Sequence, residues 1–447
     1  MKLRLTSIYE WGLLAVLLLI VIHAPLAVGF GSLFPDYATP IKAWKEIILG
    51  LLGLVAIVLI HRRNLWRTVL YDKVLLLCLL FVDLHLLLAL MGLDDTSPVV
   101  AGLMIDLRFI VMFMLMYVLV LIRPDSFGRI IRVIAAGAVV VIGFGLLQIT
   151  VLPDNVLSRL GYSSDTITPY TTIDRNPDFV RINSTLRGPN PLGALMVIYI
   201  ALVVAYMLRR GPAAAIRRRV AAWATMIGSV AILFASFSRS AYAGAVAAVL
   251  AAGLAAKRLS RRMVVVGAAL VAIIGIGSFY LSSTDWFSNV VLHEDPESTV
   301  TAKSNAGHIE SLVDGARRMA AQPIGAGIGS TGSASLYDGS PANDVVIENY
   351  YLFVAHEAGW LGLTLFLMIL GYVFWLLWHR RSSWILLGVL ASGVGLSLIG
   401  LLLPVWADET VALTWWGLAG AAIAAPSGIM GARYATKSRQ QKTARTA

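Results

Sequence analysis

The chain has 447 residues, of which 58% are hydrophobic and only 14% are charged. Soluble domains carry about 45–50% apolar and about 25% charged residues, so this composition excludes a water-soluble enzyme and a disordered scaffold. The single cysteine, Cys78, lies in an apolar run and excludes an internal disulfide framework and a cysteine-based metal site. The long apolar runs indicate a polytopic membrane protein.

Twelve apolar runs approach the length of about 20 residues that a helix needs to cross a bilayer. We therefore predict an all-α membrane protein in which residues 1–447 form a single domain. The first run is too long for a signal peptide and eleven more follow it, so we expect it to remain as a helix. The predicted spans are 11–30, 44–61, 74–92, 98–122, 129–151, 191–208, 220–237, 240–256, 263–281, 348–376, 383–403 and 411–432.

The loop charges predict the orientation of these spans. Alternate loops, including 62–67 and 217–219, hold 25 of the 36 basic residues and three acidic ones. Positively charged loops stay in the cytoplasm, so we expect both termini to be cytoplasmic and the protein to lie in the plasma (inner) membrane. The net charge of +11 is thus a topology signal and gives no reason to expect nucleic-acid binding.

Two long loops are predicted on the outer side, over residues 152–190 and 282–347. In the second, Ile309, Leu312, Val313 and Ala316 recur at helical spacing, which predicts an amphipathic helix that ends before Pro323. This helix either lies on the membrane surface or covers an outward-facing cavity, and the two interpretations are compatible. The following Gly-rich stretch, 322–330, lacks the strand and lysine of a phosphate-binding loop and predicts a turn.

Two outward arginines flank predicted spans. Arg187 precedes Gly-Pro-Asn190-Pro at the entry to the sixth span, and Arg239 stands between the seventh and eighth spans, followed by Ser240. Guanidinium groups bind phosphate in bidentate fashion, and the helix starts expected at Asn190 and Ser240 also favour anions. Simple placement of each arginine at the membrane interface is the competing interpretation.

Candidate general bases lie near the tenth span. Glu348 is predicted in the first turn of that helix, where a carboxylate either stabilises the helix or acts as a base. His308, at the start of the loop helix, has an ordinary pKa nearer neutrality and is the second candidate. Further along, His356 and Glu357 lie within the span and are expected to face a cavity or a partner.

Charged residues inside the spans form the last group. Asp83 and Asp106 fall in spans three and four, together with Arg108. The simplest interpretation is an interhelical ion pair in which Arg108 neutralises an acid, and the alternative is a proton relay.

At these residues the chain resembles the O-antigen ligase and polymerase superfamily of bacterial envelope glycosyltransferases. The resemblance rests on four ordered motifs and covers most of the chain, and the entry to span two, which ends at Lys45, is also similar. The motifs are Arg187-Gly-Pro-Asn-Pro-Leu-Gly, Ser238-Arg239-Ser240-Ala241, Pro323-Ile-Gly-Ala-Gly-Ile-Gly, and Glu348-Asn349-Tyr350-Tyr-Leu with His356-Glu-Ala-Gly-Trp-Leu-Gly-Leu.

The resemblance implies a metal-independent, inverting transfer without cofactors on the outer face of the inner membrane. The donor is a glycan on undecaprenyl diphosphate, and the acceptor is lipid A–core for a ligase of lipopolysaccharide or another lipid-linked repeat for a polysaccharide polymerase. Arg187 and Arg239 would bind the diphosphate, Glu348 or His308 would act as the base, and five residues would support them: Lys45, Asn190, Ser240, Asn349 and Tyr350.

One residue departs from the ligase pattern. Ligases of this family have a histidine before the asparagine at the tenth span, where this chain has Glu348, so the acceptor is left open. The main alternative function is a transporter of a small or amphiphilic solute that uses Asp83, Asp106 and Arg108. A metal-using glycosyltransferase is disfavoured because the first outer loop, about residues 31–43, holds only Asp36. A structural assembly protein would not explain the outward arginines.

Overall fold

The computed structural model describes residues 2–92, 96–173, 176–210, 215–257, 302–336 and 345–426, and the predicted ninth span, 263–281, lies outside these ranges. Helices make up most of the described chain. They are α1 (Lys2–Leu19), α2 (His23–Leu33), α3 (Ala38–Lys42), α4 (Trp44–Arg62), α5 (Trp66–Leu70), α6 (Lys73–Met91), α7 (Thr96–Ile122), α8 (Ser126–Thr150), α9 (Pro189–Arg210), α10 (Ile216–Ala235), α11 (Arg239–Ala255), α12 (Ala302–Ala321), α13 (Gly332–Ser335), α14 (Tyr350–His379), α15 (Trp384–Ile399) and α16 (Glu409–Ala424). Short 3-10 turns occur at Ile20–Ile22, Pro35–Tyr37, Val156–Leu160 and Val405–Ala407.

Within the described residues, eight helical segments are long and apolar enough to cross a membrane. The first joins α1 and α2, and α11 and α15 are shorter apolar helices. The prediction of a helical, multi-span membrane protein is confirmed, whereas the count of twelve spans stays a prediction.

The helix α16 forms the centre of the packing. Every residue from Glu409 to Ile423 is buried, and the helix packs along α7, where Gly420 lies against the backbone of Phe113. A cluster of aromatic rings fills the space beside this contact, with Trp416 5.1 Å from Phe109 and 4.9 Å from Trp415 between ring centroids. Small residues permit such close approach of helices in membrane proteins.

A second close contact joins α9, α11 and α15. Gly193 on α9 lies against Ala241 of α11, and Gly395 on α15 lies against the backbone of Gly244. Without side chains at these positions the helix backbones approach directly. This packing holds the starts of α9 and α11 side by side.

The face at which the basic loops lie is called here the basic face. There the Glu10 carboxylate, which is fully buried, pairs with Arg129 and with Arg123 at 2.8 Å. Arg380 donates to the Ile423 carbonyl at 2.6 Å and to the Ala425 carbonyl, and so caps the C-terminus of α16. Some of the arginines that predict topology therefore also satisfy helix ends and a buried acid.

The opposite face carries the described parts of the two long loops and is called here the loop face. The first loop contains a two-stranded antiparallel sheet, β1 (Thr171–Ile173) and β2 (Asn176–Arg181), with a register shift between Thr172 and Ile173. The described chain is nearly all helical, as the predicted fold class requires, and this short hairpin is an element that the sequence did not predict. The adjacent Ile182 amide donates to the Ala235 carbonyl at 3.3 Å, so the hairpin is fixed to the end of α10.

In the second loop the helix α12 occupies the region where the sequence predicts an amphipathic helix. It packs on α14, with the Trp360 indole donating to the Met319 carbonyl at 2.7 Å. The Gly-rich stretch after it forms a turn, in which Gly325, Gly327 and Gly329 all adopt positive φ. The turn enters between α7 and α14, where Gly329 lies against the backbone of Pro98.

Candidate functional site

A partly buried arginine that the sequence analysis missed lies at the loop face. Arg181, the last residue of β2, donates from Nε to the Ser236 carbonyl at 3.0 Å and from Nη2 to Asn190 Oδ1 at 2.8 Å. Both acceptors are neutral. Burial lowers the pKa of Arg181 to about 10, and the neighbouring Arg239 guanidinium acts in the same direction. The hairpin, which the sequence did not predict, is what brings Arg181 to this position.

Two helices begin beside this arginine. Asn190 is the second residue of α9, and Arg239 is the first residue of α11, with Ser238 as its N-cap. Ser240 Oγ lies 3.3 Å from Ser238 Oγ. Helix N-termini carry partial positive charge and unpaired amide donors. The predicted helix starts at Asn190 and Ser240 are thus present within a residue or two, next to two guanidinium groups.

Arg187 has a carboxylate partner. Its side chain is 45% exposed, and its Nε lies 3.5 Å from Asp408 Oδ2. Asp408 also caps α16 by accepting from the Val411 amide at 3.0 Å, and burial, with Glu409 next to it, raises the pKa of Asp408. The chain between Arg187 and Asn190 connects this pair to the Arg181 cluster.

The break between α1 and α2 positions both partners of that pair. At this 3-10 turn, Thr185 Oγ1 donates to the Val21 carbonyl at 2.5 Å, and Thr410 Oγ1 donates to the Ile20 carbonyl at 3.2 Å. In an unbroken α-helix these carbonyls would accept hydrogen bonds from the helix backbone. Here they accept from two threonine side chains, and they therefore hold the segment before α9 and the start of α16 together.

Lys45 lies in a buried ion network under Arg187. Its Nζ is 3.2 Å from Glu46 Oε2 and 3.2 Å from His23 Nε2, and His23 Nε2 is 3.7 Å from Glu409 Oε1. Lys45 is only 4% exposed. These contacts stabilise the buried ion network. The assignment of Lys45 as a supporting residue of the site stays a prediction.

The ion pair predicted between spans three and four is wrong. Arg108 Nη1 lies 3.1 Å from Glu46 Oε1 on α4, and its Nη2 lies 3.3 Å from Glu409 Oε2 on α16. Asp106 faces a different side of α7, because two residues along a helix differ by about 200°. Asp83 is exposed on the outside of α6. Helix packing, which the sequence pattern does not reveal, selects the partners.

Glu348 precedes α14 instead of lying in its first turn. The helix begins at Tyr350, and Asn349 caps it by accepting from the Tyr351 and Leu352 amides at 2.9 and 3.0 Å. Tyr350 is buried among aromatic rings, 5.2 Å from Phe366. Asn349 and Tyr350 therefore hold the helix start in place, and their role as supporting site residues stays a prediction.

The two candidate bases are near each other along the loop face. The Glu348 amide donates to Ser311 Oγ of α12 at 3.2 Å, and Ser311 in turn donates to the Val346 carbonyl at 3.1 Å. His308 lies three residues before Ser311 on α12, and its side chain is outside the described residues. Three residues place two positions on the same helix face, so His308 and Ser311 share a face of α12.

His356 and Glu357 both hold the Gly-rich turn. Glu357 Oε1 accepts from the Thr331 amide at 3.2 Å, and the His356 backbone carbonyl accepts from the Ala326 amide at 2.6 Å. The Glu357 carboxyl also lies close to the Asp106 carboxyl of α7. Two carboxylates have no hydrogen to donate to each other, so a hydrogen bond between them requires one shared proton.

The fold and these contacts define a polytopic helical membrane protein with a polar, arginine-containing site at one face. Residues 224–367 match the family model described as O-antigen ligase. The match covers Arg239, His308, Glu348 and Glu357, and it supports over this segment the resemblance drawn from the sequence motifs. That family implies membrane glycosyltransferase activity of the ligase or polymerase type. No curated protein matches the chain.

Proposed function

We propose that this protein transfers a glycan from undecaprenyl diphosphate to an acceptor on the outer face of the inner membrane. The observation that supports this most directly is Arg181, which is partly buried near Arg239 and bonded to neutral acceptors at the starts of α9 and α11. Two clustered guanidinium groups favour a multiply charged anion, and burial together with the Arg239 charge lowers the pKa of Arg181. A lipid diphosphate at a membrane boundary is such an anion.

The leaving group explains the need for this cluster. When the bond between the anomeric carbon and the phosphate oxygen breaks, the electron pair stays on undecaprenyl diphosphate. Arg181 and Arg239 would stabilise that developing charge, with the N-termini of α9 and α11 adding to the field. Arg187 lies three residues before Asn190. It would release Asp408 and bind the second phosphate group of the diphosphate.

The acceptor hydroxyl must lose a proton to form the new glycosidic bond. Glu348 or His308 would accept it, and both lie where α12 meets the segment before α14. Attack on the face opposite the diphosphate gives inversion, and these residues supply the required groups without a metal. In this arrangement α12 covers the acceptor.

The test is a reconstituted assay with purified protein, a lipid-diphosphate-linked oligosaccharide and EDTA, run with and without lipid A–core. A ladder of lengthened glycan without added acceptor identifies a polymerase, and product that requires lipid A–core identifies a ligase. Loss of activity in EDTA that returns with a divalent metal contradicts the metal-independent step. Vesicle uptake of the donor without any transfer product favours the transporter alternative.

A further inference from the structure

Two arginines come together at the basic face, where α9, α11 and α14 end. Arg209 lies in the last turn of α9, and Arg381 lies in the turn between α14 and α15. Arg209 Nη2 donates at 3.1 Å to the Arg381 carbonyl, and Arg381 Nε donates at 3.3 Å to the carbonyl of Ala255, the last residue of α11. Both side chains are partly buried, so the fold fixes two guanidinium groups at one place.

The hydrogen-bond acceptors of both arginines are neutral. Among the residues that the structure describes, Arg209 and Arg381 donate to backbone carbonyls, and no carboxylate forms an ion pair with either. The Nε atom of Arg209 is covered by neighbouring atoms and has no acceptor in that part of the chain. Capping of helix ends uses some of the five donors of a guanidinium group but leaves its charge uncompensated. The pair can therefore bind an anion.

The sequence of the neighbouring segments supplies no such anion. The segments that follow α9, α11 and α16 outside the described residues contain no aspartate or glutamate over residues 211–214, 258–284 and 427–447. Two acids expected on the basic face have other partners, since Glu10 pairs with Arg123 and Arg129 and Asp72 caps α6. The positive charge of the pair is therefore complementary to an anion from outside the chain.

Aromatic side chains indicate the depth of the pair in the membrane. Arg381 lies over the ring of Trp378, 4.0 Å from its centroid, and Trp378 is 45% exposed on α14. On the other side of the turn, Trp384 packs edge-on against Tyr206 of α9 at 5.2 Å between ring centroids. Tryptophan and tyrosine are enriched at the level of the lipid headgroups. The exposed Trp375, one turn before Trp378, offers an apolar surface to a lipid chain.

We propose that Arg209 and Arg381 bind the phosphate group of an anionic phospholipid from the leaflet at the basic face. The two guanidinium groups share the charged phosphate oxygens, and the acyl chains lie along Trp375 and Trp378. Anionic headgroups bind in basic sites between helix ends on the cytoplasmic side of membrane proteins. Such a lipid joins the ends of α9 and α11, whose opposite ends carry the candidate site. The proposal is independent of the reaction proposed above.

Lipid binding to the purified full-length protein in an uncharged detergent tests this site. Phosphatidylglycerol with a fluorescent acyl chain is the probe, and unlabelled phosphatidylglycerol, phosphatidylcholine or inorganic phosphate at matched ionic strength competes with it. Phosphatidylglycerol is expected to displace the probe at least about tenfold more effectively than phosphatidylcholine. Equal displacement by the two lipids overturns an anion-selective site, and displacement by inorganic phosphate would show that the site takes a soluble anion.

Paired variants assign the binding to these residues. Arg209→Gln with Arg381→Gln is expected to weaken binding of the probe about 30-fold, since both charges are lost. Arg62→Gln with Arg63→Gln is the matched control, because it removes the same charge from exposed positions of the same face, and it is expected to change binding by less than about twofold. Equal weakening by the two pairs overturns the assignment.

A photoreactive phosphatidylglycerol gives a second readout that needs no variant. Cross-linking of the wild-type protein through the acyl chain is expected to label the segment from Trp375 to Trp384. Labelling confined to other segments overturns the proposal, even where the glutamine variants fail to fold.

Discussion

Arginine residues serve different purposes in this protein, and their contacts separate them. Arg123 and Arg129 neutralise the buried Glu10, and Arg380 caps α16. Arg181 differs because, among the residues that the structure describes, the oxygens that accept its hydrogen bonds are neutral, and we propose that its charge binds a ligand. A residue type that is frequent in the sequence thus identifies a site only when its partners are known.

Arg181→Lys is expected to lower kcat/KM in the glycan transfer assay by about 10²-fold or more, because an ammonium group keeps the charge but loses the fixed pair of donors. Arg159→Lys, an exposed arginine in the same loop, is the matched control and is expected to be unchanged. Equal activity of the two variants would count against diphosphate binding at Arg181.

The hypothesis that Asp106 and Glu357 share a proton gives a prediction on stability. Glu357→Gln supplies a permanent donor to Asp106 and keeps an acceptor for the Thr331 amide, so it is expected to change the free energy of unfolding by less than about 1 kcal/mol. Glu357→Ala leaves Asp106 and the turn amides unpaired, and it is expected to cost about 2–4 kcal/mol.

Thermal unfolding in detergent, followed by tryptophan fluorescence, measures the difference between the two variants. The carboxylic acid band in the infrared spectrum provides an independent readout, since the shared proton is expected to give a signal that Glu357→Gln removes. Similar destabilisation by Gln and Ala would show that an ionised pair, and not a shared proton, is present.

At the scale of elements, α14 and the Gly-rich turn fit together through one distorted residue. Gly359 adopts φ 66° and ψ −169° within α14, and it lies against the carbonyls of Pro323 and Ile324. The Trp360 amide then donates to the Pro323 carbonyl at 2.9 Å. The kink releases backbone groups of α14 from the hydrogen bonds of the helix, and these groups bind the turn that follows α12. The kink therefore couples α14 to this turn.

Gly359→Ala is expected to displace this turn, because a Cβ at positive φ is strained and would overlap backbone atoms. We expect a loss of more than about 2 kcal/mol in stability and faster proteolysis between Gln322 and Thr331. Gly371→Ala, on the same helix with open space around it, is the control and is expected to be neutral. Equal proteolysis of both variants would contradict the coupling.

At the scale of the whole molecule, the two faces of the helical bundle differ in charge and loop length. The loop face holds the hairpin, α12 and the candidate site, whereas the basic face holds short arginine-rich connections. From the positive-inside rule we expect the basic face to lie in the cytoplasm. The proposed reaction requires the opposite face to be outside, so topology and function are tested together.

Cysteine labelling in a Cys78→Ala background measures this orientation. Ser164 is exposed in the first long loop. Ser164→Cys is expected to react with a membrane-impermeant maleimide in cells whose outer membrane has been permeabilised. Tyr71→Cys, which is 82% exposed on the basic face, is expected to react only after the inner membrane is lysed. The reverse pattern would place the candidate site in the cytoplasm.

The sequence by itself determined the class of protein, the existence of two unlike faces and most of the helices. These properties depend on the total hydrophobicity and charge of short segments. Both quantities are additive along the chain, so the sequence alone determines them. The motifs around Arg239 and Glu348 also indicated the family, since they are contiguous in sequence.

Only the tertiary structure decided which charged groups meet. Arg108 pairs with Glu46 and Glu409, which come from helices far apart in the chain, and Arg181 reaches Asn190 through a short hairpin. Asp106 and Glu357 meet for the same reason, although neither has a neighbour in sequence that predicts the other. Such partners depend on how helices rotate and cross, and periodic apolar patterns constrain which side of a helix is buried but not which residue it meets there.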